Sequence, residues 1–276
     1  MKPAPFDYAR PKTVAEATAL LAQAGASAAV IAGGQSLIPM LNLRMAQPDL
    51  LVDVGGLEEL KATGETTQGL HIGALTTHSD IEDGKLPDLF GGLMQRVASG
   101  ISYRAIRNYG TIGGSVALAD PAADWPVCLM ALGAEVRIAS CSGQRSEPVG
   151  DFARGQYTTS LAKDEIILGF DLKRPDATLR WGSCKVVRKS GAFASSMAIA
   201  VERGGGAAAV ALAGAASRAC LLPSVAKHAG SAASSDDVLR AAIAQDLAAL
   251  VPEADGYSRR LHASTVMRAV REMRSR

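Results

Sequence analysis

Two glycine-rich loops carry the residue types best suited to binding a small anion. Residues 32–36 read Ala-Gly-Gly-Gln-Ser and residues 111–115 read Thr-Ile-Gly-Gly-Ser. Adjacent glycines allow left-handed backbone conformations and a close approach to a ligand, and successive N–H groups can then point into one concavity. Neither loop has a Lys before its Ser, which excludes a nucleoside-triphosphate P-loop. Either loop alone fits an ordinary tight turn, but two loops of nearly identical chemistry favour binding of a pyrophosphate.

A third glycine motif has a simpler interpretation. Residues 204–209 match the dinucleotide fingerprint G-x-G-x-x-A, which requires a strand before the glycines and a helix that opens at them. Here the glycines stand between two apolar segments, 195–201 and 207–213, that are typical of strands. The pattern therefore predicts an antiparallel hairpin turn and not a nucleotide site.

Composition excludes several classes of protein. The 276 residues are 48% hydrophobic and 20% charged, which indicates a globular chain of one large or two modest domains. The formal charge of +2 argues against a strongly basic nucleic-acid binder. No apolar run approaches the roughly 20 residues of a membrane-spanning helix, and the first residues lack the apolar core of a signal peptide. We expect no nucleic-acid partner and no membrane span.

Cysteines and histidines show no spacing typical of a metal site. The cysteines are Cys128, Cys141, Cys184 and Cys220, and the histidines are His71, His78, His228 and His262. None of them forms the closely spaced Cys or Cys-plus-His sets that bind zinc or iron–sulfur clusters. The pattern predicts reduced thiols in a cytoplasmic protein, histidines with surface or packing roles, and no metal ligands.

Helices and short strands surround the two loops. Thr13 and Glu16 form a capping box that begins a helix, for which Gly25 is a stop signal. Short strands are expected at 28–32, 51–54, 70–74, 135–139 and 166–170. Helices are expected at 89–104 and 125–132, with the second loop between them.

A change in composition at residues 173–176 predicts a domain boundary. Beyond it we expect strands at 181–187, 195–201 and 207–213, followed by helices at 235–250 and 259–274. Strands and helices without regular alternation indicate an α+β fold. In the last helix, Val266, Val270 and Met273 are expected to dock within the fold, which leaves the arginines of that helix for a partner.

The two glycine-rich loops, together with further positions along the chain, resemble a known family. Residues 32–40 are similar to the first FAD loop of the medium, flavin-carrying subunits of molybdenum hydroxylases such as carbon monoxide dehydrogenase, quinoline 2-oxidoreductase and xanthine dehydrogenase. Residues 107–115 resemble the second loop. The other matching positions are Leu43, Arg44, Pro48, Asp120, Pro121, Asp124, Lys185, Arg188, Gly191 and Phe193.

The resemblance implies a fold and a cofactor. The fold would be a two-lobed FAD-binding domain of the vanillyl-alcohol-oxidase type over residues 1–175, split near residue 55. A small α/β C-terminal domain over residues 176–276 would follow it. The implied FAD-binding residues are Ala32, Gly33, Gly34, Gln35, Ser36, Leu37, Ile101, Thr111, Gly113, Gly114, Ser115, Asp124, Ile167, Lys185 and Phe193.

Individual roles follow from the same resemblance. The two loops would wrap the diphosphate and ribityl chain, and Asp124 would bond the flavin or its sugar region. Lys185 would lie near the cofactor, and Phe193 would cover the isoalloxazine. Without the resemblance, an ordinary helix cap and simple core packing would explain Asp124 and Phe193.

This sequence departs from the family pattern at three positions. Ala192 replaces an acidic residue that often precedes the covering aromatic, which implies different electrostatics at the flavin. Gln35 replaces the His of carbon monoxide dehydrogenases, and Ser115 replaces a common Asp or Asn. The Gln and Ser forms are closer to dehydrogenases of N-heterocycles or related aromatic compounds.

The implied function is that of an oxidoreductase subunit. A large subunit would hydroxylate the substrate at its molybdopterin cofactor, and two [2Fe–2S] clusters on a small subunit would pass electrons to FAD on this chain. FAD would reduce an external acceptor such as a quinone, a carrier, NAD or oxygen. The resemblance implies a dimer of heterotrimers. Two alternatives remain: a stand-alone FAD-dependent oxidase or reductase of the same fold, and an assembly subunit without FAD.

Overall fold

The computed structural model describes residues 2–175, 179–204, 206–231 and 233–276. Its strands are β1 Asp7–Ala9, β2 Ala28–Ile31, β3 Leu50–Asp53, β4 Thr63–Glu65, β5 Gly69–Gly73, β6 Glu135–Ser140, β7 Gly143–Pro148, β8 Ala153–Gly155, β9 Thr158–Thr159, β10 Ile166–Lys173, β11 Arg180–Val187, β12 Ala194–Glu202, β13 Ala208–Ala213 and β14 Cys220–Leu221. Its α-helices are α1 Val14–Ala24, α2 Leu37–Asn42, α3 His78–Glu82, α4 Leu93–Ser99, α5 Arg104–Arg107, α6 Ile112–Leu118, α7 Asp124–Leu132, α8 Val149–Phe152, α9 Pro223–Ala229, α10 Asp236–Leu250 and α11 Gly256–Ser275.

A small parallel sheet begins the chain and positions the first loop. Its strand order is β1-β3-β2, so the end of β2 delivers the chain directly into residues 32–36. Helix α1 begins as predicted, because Thr13 Oγ1 accepts the Glu16 N–H and Glu16 accepts the Lys12 N–H. The helix buries Ala17 and Leu21 against the apolar residues of β3. This packing fixes the strand from which the first loop emerges.

A five-stranded antiparallel sheet, β4-β5-β10-β6-β7, supports the second loop. Helix α7 is buried along its whole length, with Trp125 inaccessible to solvent, so it forms the centre of the main core. Helix α6, which contains the second loop, packs between α7 and β10. The loop is thereby attached to a rigid part of the molecule.

A four-stranded antiparallel sheet, β11-β12-β13-β14, follows and is covered by α9, α10 and α11. Strands β12 and β13 pair with Glu202 opposite Ala208, which confirms the predicted hairpin and excludes the dinucleotide fingerprint there. Gly205 of that turn lies outside the described residues, as does Asp176 of the predicted domain boundary. Helix α7 packs against β12 and β13, so this sheet shares the main core with the preceding one.

One predicted helix is wrong in extent. The segment expected to be helical over 89–104 forms α4 and α5, separated by residues 100–103. Ser102 adopts a positive φ of 41°, which a continuous right-handed helix does not allow. The break matters because residues 101 and 102 line the cleft described below.

Arg271 and Arg274 of α11, and Arg276 just after it, contact other parts of this chain, and a partner-facing role for the arginines of this helix stays a prediction. Val266, Val270 and Met273 are buried, as predicted. However, Arg274 donates to the carbonyls of Ala229 and His228 at the end of α9, and also to Ser231 and Ser234. Arg271 pairs with Asp236, and Arg276 lies 3.5 Å above the Trp181 ring. These three arginines stabilise this chain itself. None of the described helices has both the length and the hydropathy needed to cross a bilayer.

Candidate cofactor-binding cleft

A cleft of about 460 Å³ opens where the two loops meet. Volumes of about 300–1,000 Å³ are typical of small-molecule sites. All the site residues expected from the sequence line this cleft except Gly113 and Ile167. Further lining residues are Met40, His78, Ser102, Ile106, Gly110, Ala117, Leu118, Ala123, Gly191 and Ala192. The structure therefore brings together residues up to 161 positions apart in the chain, from Ala32 to Phe193.

Backbone N–H groups without a protein acceptor distinguish the first loop. Within the part of the chain that the structure describes, the amides of residues 33–37 donate no hydrogen bond. Gly34 has a φ of 71°, the left-handed conformation that places neighbouring amides in one concavity. The Gln35 side chain donates from Nε2 to the Gly33 carbonyl at 3.0 Å, which ties the loop to itself through a side chain. The loop is therefore a set of donors arranged for an oxygen-rich anion.

The two loops touch through their backbones at Gly33. A Cβ built on Gly33 would lie 1.9 Å from the carbonyl oxygen of Tyr109 and 3.1 Å from Cα of Gly110. No side chain fits in this gap, so glycine is required by close approach rather than by φ. This contact sets the width of the cleft at the point where the loops meet.

Amides of the second loop are used inside the protein, in contrast to the first. The N–H groups of Ile112 and Gly113 donate to the carbonyls of Thr76 and Ala74 at 3.0 and 2.9 Å. Those of Gly114 and Ser115 donate to Thr111, to Oγ1 and the carbonyl oxygen respectively, both at 3.1 Å. Sequence reasoning gave both loops the same role in holding an anion through their amides. In the structure the second loop is a wall whose polar contribution comes from the Thr111 and Ser115 side chains.

A buried ion pair closes the other end of the cleft. Lys185 Nζ on β11 lies 2.6 Å from Asp124 Oδ1 on α7 and donates to the Gly100 carbonyl at 2.9 Å. Only 5% of the Asp124 side chain and 16% of the Lys185 side chain is exposed. Burial raises the pKa of Asp124, and the Lys185 ammonium opposes that rise. The pair joins helix α7 to strand β11 beside the cleft.

An exposed aromatic side chain stands at the same end. Phe193 is 57% exposed, an unusual state for a large apolar residue next to a cleft. The preceding turn is fixed, because Gly191 has a φ of 79° and a Cβ there would lie 2.5 Å from the Tyr103 ring. The Tyr103 hydroxyl donates to the Ser190 carbonyl at 2.8 Å. The structure thus offers a largely exposed aromatic ring in the lining of the cleft.

Two expected site residues lie away from the cleft lining. Ile167 is 7% exposed and belongs to the core of the five-stranded sheet, opposite Ile138. Gly113 is buried, and a Cβ there would lie 2.7 Å from Cβ and O of Ala74. Gly113 therefore anchors the second loop to β5 and its following turn.

Arg107 holds the floor of the cleft in place. Its guanidinium forms two bonds with the Glu82 carboxylate, at 2.7 and 2.8 Å, and donates to the carbonyls of Ile101 and Ser102. Arg107 side-chain bonds to Glu82 lower the pKa of that carboxyl, with smaller contributions from Arg104. The strained segment at Ser102 is thus tied to α3 and α5.

Among the lining residues not expected from the sequence, His78 is the one with a titratable side chain. It was interpreted as a surface or packing residue, because no other candidate ligand stands at metal-binding spacing from it. It is 6% exposed and sits in the cleft beneath Gly110. In the sequence it is only the first residue of a short helix capped by Thr77, so no local signal indicated its position. In the described part of the chain, no group of three or more His, Cys, Asp and Glu residues could hold a metal ion.

Comparisons with known proteins identify the family of this chain. Residues 4–175 match the family model described as FAD binding domain in molybdopterin dehydrogenase. The glyceraldehyde dehydrogenase medium chain of Sulfolobus acidocaldarius is 38% identical over 203 residues, which cover 73% of this chain and 72% of that protein.

Solved structures extend the similarity over the whole chain. Carbon monoxide dehydrogenase from Hydrogenophaga pseudoflava aligns with a TM-score of 0.92 and 30% identity, over 100% of this chain and 99% of that one. Quinoline 2-oxidoreductase from Pseudomonas putida 86 aligns with a TM-score of 0.90 and 29% sequence identity, over 100% of this chain and 99% of that one. The chain is therefore an oxidoreductase subunit and belongs to the FAD-binding medium subunits of molybdopterin-dependent dehydrogenases.

Proposed function

We propose that this chain carries electrons out of a three-subunit molybdenum hydroxylase. In this proposal a large subunit hydroxylates the substrate at a molybdopterin cofactor, and electrons leave its small subunit through two [2Fe–2S] clusters. They reach an external acceptor through FAD held on this chain. The observation that carries the proposal is the set of amides at residues 33–37, which have no acceptor in the described part of the chain and belong to a loop that lines one cleft with the second loop.

The residues present fit FAD. A diphosphate carries several oxygen acceptors. The N–H donors of the first loop are available to it, because they donate to no acceptor within the described part of the chain. The close contact between Gly33 and the backbone at Tyr109 keeps side chains out of that cradle. Thr111 and Ser115 add hydroxyl groups from the opposite wall. We infer that these loops hold the diphosphate, with amides from one side and hydroxyls from the other.

The remaining residues would orient the flavin end. When bound, FAD accepts electrons singly and releases them in pairs, which is chemistry that the protein does not supply. Asp124 and Lys185 present a fixed polar pair at this end, where they would bond the flavin or its sugar region. Phe193 has an exposed ring that would cover the isoalloxazine, and Ile101 would line it. Ala192 places no charge beside that ring.

The proposal also covers the domain organisation of this chain and its assembly with partner subunits. We infer a two-lobed FAD domain of the vanillyl-alcohol-oxidase type over residues 1–175, split near residue 55, and a C-terminal domain over 176–276. The parallel sheet β1-β3-β2 and the five-stranded sheet that follows support two lobes. A dimer of heterotrimers and a cytoplasmic location stay predictions from the family resemblance and the cysteine pattern.

For the substrate we propose an N-heterocycle or a related aromatic compound. Gln35 and Ser115 support this choice, and the similar quinoline 2-oxidoreductase is named for such a compound. The similar glyceraldehyde and carbon monoxide dehydrogenases are named for other substrates, so the choice rests on the two loop residues.

Purification of a tagged full-length chain with its natural partners tests the proposal. We expect a yellow complex that contains molybdenum, iron and two further subunits, and that releases FAD rather than FMN on denaturation. Bound FMN would contradict the diphosphate argument, and a colourless protein would favour an assembly subunit. A chain that purifies alone and reduces its own flavin with substrate would favour the stand-alone flavoenzyme.

A further inference from the structure

His78 is enclosed on every side but one. Its backbone N–H donates to the Gly110 carbonyl at 2.9 Å, which joins the start of α3 to the second loop. Its ring lies directly below Gly110, where a Cβ would stand 2.8 Å from Nε2. Residue 110 must therefore be glycine for the ring to reach the cleft. The Nε2 edge of the ring lies against Gly110, which itself lines the cleft.

The indole of Trp125 fixes the tautomer of this ring. Trp125 Nε1 lies 2.9 Å from His78 Nδ1 in the buried core. An indole N–H can only donate, so Nδ1 must be the acceptor. The proton of the neutral imidazole then resides on Nε2. Burial, with a smaller effect from the Arg107 charge, lowers the pKa of His78 to about 4, so the ring is neutral at physiological pH.

The Nε2–H group has no acceptor within the described chain. All bonds of the His78 side chain run through Nδ1. In the described part of the chain, Gln95 Oε1 is the only fully buried side-chain nitrogen or oxygen without a hydrogen-bond partner. The unpartnered His78 Nε2–H is therefore not sealed in the core, and it can donate to an acceptor that enters the cleft. His78 lines the same cleft as Thr111 of the second loop and the Asp124–Lys185 pair, and its bond to Trp125 is made to the residue that follows Asp124.

We propose that His78 is a positioning residue for FAD and that its Nε2–H donates to an oxygen of the chain linking the flavin to adenosine. This rests on the proposed FAD site, because the acceptor belongs to the cofactor. Trp125 acts on the cofactor site through His78. Its indole N–H holds the imidazole in the Nε2–H tautomer, and this tautomer provides the N–H donor. Neutrality of the ring keeps the contact a hydrogen bond and not an added charge beside the flavin.

Calorimetric titration of the full chain, prepared without flavin, with FAD tests the proposal. His78→Phe keeps a ring but has no donor, so we expect FAD to bind about tenfold more weakly, the loss of one hydrogen bond. His78→Gln places an amide N–H close to the former Nε2, and we expect it to restore most of the affinity. A thermal unfolding curve for each variant shows that the comparison is made on folded protein.

Nitrogen NMR of the histidine ring in the unaltered chain gives a second readout. We expect the Nε2–H tautomer without FAD and a shift of the Nε2 signal when FAD is added. An Nδ1–H tautomer, or equal FAD affinity of folded His78→Phe and wild type, would overturn the inference. A wild-type chain that binds no FAD would instead overturn the proposed function, so the two failures are distinguishable.

Discussion

At the scale of single residues, the cleft depends on positions where a side chain would collide with backbone. Gly33 is the clearest case, because the Tyr109 carbonyl occupies the space of its Cβ. Backbone cannot move aside as a flexible side chain can, so the loops must separate if residue 33 gains a methyl group. Separation of the loops would disperse the donors of residues 33–37.

Gly33→Ala should therefore lose bound FAD. Overpacking costs typically about 1–3 kcal/mol, which corresponds to a roughly 5- to 150-fold loss of affinity if the loops open to relieve it. Gly33→Val should abolish flavin retention. The ratio of flavin absorbance to protein absorbance after gel filtration measures the effect. Gly155→Ala is the matched control, because a Cβ at Gly155 has no neighbour within 4 Å. Unchanged flavin content in both Gly33 variants would exclude this loop as the diphosphate site.

The lowered pKa of His78 predicts how the free energy of unfolding depends on pH. Its pKa is about 4 in the folded chain and has the ordinary value near 6.5 when unfolded. Between these values the unfolded chain binds more protons, so a fall in pH favours unfolding. From pH 7.5 to 5.5 we expect wild type to lose about 1.4 kcal/mol more than His78→Gln.

Urea unfolding of the flavin-free chain at the two pH values measures this difference. His262, whose pKa burial also lowers, contributes the same slope to both proteins and cancels in the comparison. Equal pH dependence of the two proteins would show that His78 is not held neutral in the folded chain.

At the scale of elements, two polar contacts join parts of the chain that are distant in sequence. The Asp124–Lys185 pair links α7 to β11, and Arg107 links α3 and α5 to residues 101–102. Each contact lies under the cleft, so the elements that carry the expected flavin residues are fixed relative to one another.

Lys185→Met should be strongly destabilising, because it leaves the buried Asp124 carboxylate without its partner. Breaking a buried ion pair costs about 3–5 kcal/mol, whereas replacing both partners costs less. We therefore expect Asp124→Asn combined with Lys185→Met to be more stable than Lys185→Met alone. Urea unfolding without flavin gives each value. Lys61→Met, which removes an exposed pair with Glu58, should cost about 1 kcal/mol or less. Additive single and double effects would contradict this coupling.

Arg107→Lys should loosen the segment between α4 and α5. A lysine cannot pair with Glu82 through two nitrogens and also reach the Ile101 and Ser102 carbonyls. We expect faster amide hydrogen exchange at residues 100–103, measured by mass spectrometry of peptides. Arg104→Lys is the matched control, since Arg104 forms a two-bond pair with Asp83 and one bond with Glu82 but is exposed and donates no hydrogen bond to the carbonyls of residues 101–102. Equal exchange in the two variants would mean that Arg107 does not anchor the cleft floor.

Some features of the fold could be predicted from local sequence and others could not. Caps, glycine stops and apolar alternation located α1, the short strands and the β12–β13 hairpin, because these signals act within a few residues. The break at Ser102 and the packing of Gly33 on Tyr109 depend on tertiary contacts. The same reason hid His78, whose partner Trp125 is 47 residues away. The loops were recognisable as a site, but the different use of their amides was not.

At the scale of the whole molecule, the contacts of the last helix bear on the role of the basic C-terminal stretch. Its arginines can fasten α11 to the rest of this chain, which we call the internal clamp, or they can form a docking surface for a partner. Arg274 bonds four carbonyls around the end of α9, at 2.7–3.0 Å. Helix ends leave carbonyls unpaired, and a guanidinium satisfies several of them at once. The contact fastens α11 to α9, the two helices that cover the four-stranded sheet on either side of α10.

Arg274→Ala should therefore lower the free energy of unfolding by about 2–3 kcal/mol, the range for hydrogen bonds to a charged group. Arg260→Ala, an exposed change on the same helix, should have little effect on stability. Urea unfolding of the isolated chain compares the two, and co-purification of the other subunits reports on assembly. If Arg274→Ala leaves stability unchanged but releases a partner subunit, the arginine belongs to an interface and the clamp is wrong. If stability falls while the folded fraction still assembles, α11 stabilises this chain and the partner surface lies elsewhere.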